Sequence, residues 1–235
     1  NNSDSFKAFV RDLTDELHNE LGFEVKKDEE LEIKEVRDTI NKLRAKNLDD
    51  DAFIKKFSDI FKENKMESIS EGTFFSSILF ISALDETNKI ETFLEKFENA
   101  ESPQMQGRYR AVLGQVRDQN ASKKIVEFML DGRIRGADCP YILASMITNK
   151  YIGKKSWKVI KENFNDLLSV MPDWTASRIL DALPAIYDEE FAGDIKNFIK
   201  KNPLPSSEKL AAQKLERLEA NIEFMDNLKE VNNET

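Results

Sequence analysis

The chain has 235 residues, enough for one large domain or two small ones, and at 40% hydrophobic and 34% charged it is too apolar for a disordered chain. A net charge of −9 argues against nucleic-acid binding, which needs a basic face. One cysteine excludes an internal disulfide and suits a reducing, cytoplasmic setting, and no run approaches the ~20 apolar residues of a membrane span.

Glycine and proline fall between periodic segments, and almost every segment repeats with the helical period. A first helix opens near Ser3 or Asp4, carries the apolar stripe Phe6, Phe9, Val10, Leu13, Leu17 and Leu21, and stops at Gly22. A second carries Ile33, Val36, Ile40 and Leu43. A third follows Asp49 to Asp51, acidic residues suited to a helix start, and carries Phe53, Phe57, Ile60 and Phe61. A fourth, from Ser70, is apolar on more than one face and reads as a buried inner helix. Asp85 opens the next, through Ile90, Phe93 and Phe97; Ser102-Pro103 caps another. Asn120, Asp138 and Gly153 precede three more, the last running from Trp157 to Leu168. Asp173 opens a helix through Ile179 and Leu183, and Asp188 one through Ile199. The final helix starts at Ser206 or Ser207, with a polar tail, 231–235, expected to fray.

About a dozen helices arriving in pairs every ~35–45 residues predict an all-α fold, an α-α superhelix of stacked HEAT-like hairpins, over a single domain spanning 3–231. A compact irregular bundle is the alternative.

Catalytic chemistry finds little footing. A zinc site needs three or four ligands, and the chain holds one histidine, His18, and one cysteine, Cys139. His18 reads as a boundary histidine and Cys139 as a small, partly buried side chain. No nucleophile elbow or phosphate-binding glycine loop occurs. Carboxylate pairs such as Glu29-Glu30 and Glu189-Glu190 read as solvated helix faces. The cations hold more interest: Arg133 and Arg135 in the loop 131–136, Lys150 before Trp157, and Arg178 beyond Trp174 are candidate substrate contacts.

Several runs carry a resemblance. Trp157 to Phe164 (WKVIKENF), Phe191 to Phe198 (FAGDIKNF), Asn202 to Pro205 (NPLP) and Gln213 to Phe224 occur in the order of the C-terminal helical domain of M1-family zinc aminopeptidases. Leu21-Gly22-Phe23-Glu24 and Gly132 to Asp138 are similar to its upstream motifs. Ala137 replaces the family's Gln, Asn149-Lys150 its Asn-Pro, and Phe224 its Trp. Thr148 stands where peptide-length-sensing members carry a basic residue, and Lys150 is the candidate to take its part.

The resemblance implies a substrate-enclosing, non-catalytic C-terminal domain of an enzyme that removes N-terminal residues from peptides. It implies that the zinc, the catalytic domain and the first solenoid helices belong to polypeptide ahead of Asn1, this chain holding no cofactor. The compact cytosolic members, including archaeal tricorn-interacting aminopeptidases, fit best. Expected partners are that catalytic domain and peptides. A free-standing HEAT-like scaffold that binds proteins is the alternative.

Overall fold

A computed structural model describes residues 2–26, 28–63, 72–205 and 207–233. Among them stand thirteen α-helices, one 3-10 segment and no strand, so the fold class is all-α, with helices pairing as in α-α superhelices. No helix among the described residues is long and apolar enough to cross a membrane. The helices divide between two compact units, Asn1–Asp118 and Gln119–Thr235.

The first unit holds α1 (Asn2–Leu21), α2 (Leu31–Asn47), α3 (Asp51–Lys62), α4 (Gly72–Ala83), α5 (Ile90–Glu98) and α6 (Pro103–Leu113). The predicted inner helix is α4, which packs on α2, α3 and α6 and buries Phe75, Ile78, Leu79 and Ile81. Its predicted start at Ser70 lies outside the described residues. The phenylalanine spacing of α3 makes an aromatic column: Phe57 meets Phe53 at 5.3 Å and Phe23 at 5.6 Å, while Phe61 stacks on Phe93 at 4.8 Å. Each such pair contributes about 0.5–1.5 kcal/mol beyond burial alone. Asp50 caps α3 by accepting from the Phe53 N–H, as the acidic run predicted. Ser102 does the same for α6, with Pro103 in its first turn.

Three expectations in this unit need correction. The stripe of α1 does not face the core: Val10 and Thr14 are buried, whereas Phe6, Phe9, Leu13 and Leu17 are 43–59% exposed. Leu31, Ile33 and Val36 of α2 are exposed as well. The period fixed a helix and an apolar face; it could not say whether this chain supplies the partner. Second, Glu29 is not a solvated carboxylate. Arg37, 1% exposed, pairs with both its oxygens and also donates from Nε and Nη2 to the Leu21 carbonyl, at 3.3 and 3.2 Å. Hydrogen bonding from Arg37 holds the Glu29 carboxyl below its ordinary range. Gly22 does end α1 as expected, at φ +69°, its N–H on the His18 carbonyl. Third, Asp85 does not cap α5. The Ile90 N–H goes to the carboxylate of Asp118, 28 residues on. Burial would raise the Asp85 carboxyl, but hydrogen bonds from Ser58, Thr87 and Lys62 outweigh it and bring it down to about 2.

The second unit holds α7 (Ala121–Leu130), α8 (Cys139–Ile147), α9 (Gly153–Glu162), α10 (Phe164–Val170), α11 (Asp173–Ala176), the 3-10 segment Ser177–Ala185, α12 (Glu189–Lys201) and α13 (Glu208–Asn233). The single helix predicted from Trp157 to Leu168 breaks at Asn163, whose side chain donates back to the Val159 carbonyl and competes with the backbone ladder. The helix predicted from Asp173 lasts one turn before tightening to 3-10 geometry. Pro184 lies inside that segment, has no N–H and cannot sit in an α-helical interior. The core gathers Ile125, Met129, Leu143, Met146, Trp157, Ile160, Leu167 and Leu180. Trp157 donates to Asp194 at 3.0 Å and meets Phe198 edge-on, tying α9 to α12. Buried Ser122 and Ser156 share a hydrogen bond of 2.8 Å between α7 and α9. The predicted start of α13 at Ser206, and part of the tail expected to fray, lie outside the described residues; the helix itself runs to Asn233.

Candidate functional site

The link between α8 and α9 is built by one asparagine. Asn149 is buried, and its Oδ1 accepts from the backbone N–H groups of Tyr151 and Ile152 at 3.0 and 3.4 Å, reversing the chain within three residues. Gly153 then starts α9 so close to the end of α8 that a Cβ there would stand 2.4 Å from the Ile147 carbonyl oxygen. Only glycine fits this approach.

That tight join forms one wall of a cavity of about 490 Å³. The end of the 3-10 segment and the start of α12 form the other, with Ile186, exposed Tyr187, Asp188 and Phe191. Lys150, Lys154 and Lys155 line the cavity and Asp188 is the one carboxylate among the lining residues, so the lining carries three positive charges against one, net +2. The Lys154 ammonium sits 2.8 Å from Asp188, and this hydrogen bond raises its pKa. Asp188 also caps α12 by accepting from the Phe191 N–H at 2.8 Å. Lys150 lies over the Tyr151 ring, 4.7 Å from its centre. The N-terminus of α9 adds a positive helix-dipole end, so the arrangement favours an anion such as a carboxylate.

The four cations singled out in the sequence do not converge. Lys150 lines the cavity. Arg133 and Arg135 occupy the loop at the opposite end of α8, and that nine-residue helix holds the two sites about 13 Å apart. Arg133 stacks on Phe128, 3.4 Å from the ring centre, and Arg135 donates to Asp138 at 2.8 Å. Arg178, in the 3-10 segment, pairs with Asp181 at 3.7 Å. Their loop is held by Gly136, where a Cβ would stand 2.0 Å from the Val170 carbonyl oxygen. Sequence reasoning missed Lys154 and Lys155. A signal was present: two lysines in the first turn of a helix oppose its dipole, an arrangement with a local cost.

The nucleophile candidates are placed plainly. Cys139 is fully buried, and burial, with Asp138 beside it, pushes its thiol up to about 12, far from a reactive thiolate. His18 packs edge-on to Phe53 at 5.4 Å, and burial lowers its pKa, with Arg44 adding to the effect. Among the described residues no group of three or more His, Cys, Asp or Glu is disposed to hold a metal ion. Against known families, the model of the ERAP1-like C-terminal domain matches residues 1–220.

Proposed function

The chain belongs to the ERAP1-like C-terminal domain family, and on that premise we propose that it is the substrate-enclosing, non-catalytic C-terminal domain, over 3–231, of a zinc-dependent aminopeptidase that trims peptides from their N-termini. The zinc and the hydrolytic groups belong to a catalytic domain of the same protein, with which this chain associates. We place it with the compact cytosolic members of the M1 family, those similar to archaeal tricorn-interacting aminopeptidases, acting in the cytoplasm on peptides and on neither nucleic acid nor membrane.

The observation that carries the reading is the lysine-rimmed cavity. In a chain of net charge −9, three lysines and a helix N-terminus around one cavity are a local exception. They suit the carboxylate end of a peptide whose other end lies in the catalytic cleft. The test is to titrate the chain with one peptide as free acid and as C-terminal amide. The acid should bind about tenfold tighter, and Lys150→Ala with Lys155→Ala should remove the difference. Equal binding of acid and amide refutes the peptide-end reading. Hydrolysis of aminoacyl reporters by the isolated chain with added zinc refutes the division of labour.

The exposed seam of α1 is what favours a second reading, a free-standing HEAT-like scaffold that binds protein partners. The reading frame ahead of Asn1 separates the two: a His-Glu-x-x-His helix within it supports the aminopeptidase.

A further inference from the structure

The seam on α1 stands open to water. Phe6, Phe9, Leu13 and Leu17 are 51%, 59%, 58% and 43% exposed, whereas Val10 and Thr14 beside them are buried. At the α-helical period the four fall within an arc of about 80°, and from Phe6 to Leu17 they run about 16 Å along the axis. A stripe so narrow matches the seam between two packed helices. Together the four side chains leave on the order of 400 Å² in water, the size of a functional surface patch and about half of what each partner buries in a stable dimer.

Charge narrows the choice of occupant. Asp12, Glu16 and Glu20 recur every four residues along one edge of the seam, and all are exposed. Among the described residues neither Asp12 nor Glu16 has an ion pair or hydrogen bond for its carboxylate. At Glu20 the Lys26 ammonium reaches the backbone carbonyl, at 3.4 Å. The cations of α1 do not balance this row. Lys7 is paired with Asp49 at 2.8 Å, and Arg11 projects from the far face, about 150° around the helix from the seam. A second copy of the chain would bring a second row of carboxylates, and another net charge of −9, to a contact too small for a stable dimer. The complement is a helix whose apolar stripe is flanked by Lys or Arg.

We propose that the α1 seam is a docking site for a basic amphipathic helix of a partner polypeptide. The apolar stripe of that helix packs along Phe9, Leu13 and Leu17, and its cations meet Asp12 and Glu16. Phe9 and Leu13, at the centre of the stripe, are the anchors, and the carboxylates set orientation and encounter rate. The lysine cavity lies in the other unit, so failure of peptide-end recognition there leaves this proposal standing, and the reverse holds too.

The probe is a fluorescein-labelled helix of leucine and lysine with all leucines on one face, followed by fluorescence polarisation. One counterpart has glutamate in place of lysine; another has the same composition with the leucines scattered around the helix. The lysine helix should bind at least about tenfold tighter than either, and more weakly as salt rises. Phe9→Glu with Leu13→Glu should weaken binding about tenfold. Asp12→Lys with Glu16→Lys should reverse the preference between the lysine and glutamate helices. Phe224→Glu, which alters an equally exposed aromatic on α13, should change nothing. Equal binding of the three probes, no binding, parental binding by either seam variant, or loss of binding in Phe224→Glu would each overturn the proposal. So would a dimer of the parent chain that the Phe9→Glu, Leu13→Glu variant abolishes, since a second copy would then be the occupant. Retained helical circular dichroism in both seam variants shows that any loss is local.

Discussion

The same substitution at two helical glycines of the second unit should have opposite effects. At Gly193 alanine meets nothing, so it collects the propensity difference between the two residues, about 0.8–1.0 kcal/mol. At Gly153 the new Cβ would stand 2.4 Å from the Ile147 carbonyl oxygen and 3.3 Å from its carbon. A carbon–oxygen contact settles near ~3.3 Å, so the end of α8 and the start of α9 must separate by about 0.9 Å. Both partners are backbone, and no side chain can swing aside. Overpacking of this kind costs about 1–3 kcal/mol. The propensity gain at the first position of a helix is smaller than in its interior, so it does not cancel the cost. For a chain of this size 1 kcal/mol moves the melting midpoint by about 2–4 °C. Gly193→Ala should therefore raise the midpoint of the second unit by about 2–4 °C, and Gly153→Ala lower it by about 2–12 °C. Both residues lie in one unit, so one calorimetric transition reports both. A Gly153→Ala variant as stable as the parent would refute the close approach of α8 and α9 at this join, and with it the tight wall of the lysine cavity.

Cys139 should resist iodoacetamide in the folded chain and react only as denaturant opens the second unit; fast labelling under native conditions would contradict its burial. His18 should make stability fall as pH drops. Its folded pKa lies below the ordinary histidine value of 6.5, so the unfolded chain takes up the proton first, and stability present above 6.5 is lost as pH falls below it. Its Nδ1 is buried without a hydrogen-bond partner among the described residues, and Arg44, Lys56, Asp15 and Asp50 are the charges that act on it. The lowered carboxyls of Glu29 and Asp85 act only below the ordinary carboxyl values of 4.5 and 3.8. A urea midpoint that falls from about pH 7.5 to about pH 5.5 in the parent and stays level in His18→Gln is the expected result; equal slopes would assign the effect elsewhere.

Much of this architecture was legible because helices announce themselves locally. Asp50, Ser102 and Asp188 cap the helices that they precede, and each accepts from the N–H three residues on. The unreadable parts depend on residues far apart in the chain. Nothing near Ile90 reveals that its N–H is held by Asp118, nor anything near Glu29 that Arg37 removes it from water. The stripe of α1 shows the limit most clearly: periodicity reports a face that avoids water, not what covers it. At the candidate site, Lys150 was within reach of sequence reasoning, but its grouping with Lys154, Lys155 and the wall at Ile186–Tyr187 required the 3-10 segment to bring that wall into place.

That segment has a mechanical consequence. Nine residues wound as 3-10 span about 18 Å, against about 13.5 Å for an α-helix. The stretch runs between α8 on one side and α13 on the other, and the Pro184 carbonyl is held by the Asn221 side chain at 2.6 Å. It is thus a strut anchored along its length by the buried side chains of Ile179, Leu180 and Leu183, with Asn221 holding its far end. Whatever length it holds decides how far Ile186 and Tyr187 stand from the lysines opposite.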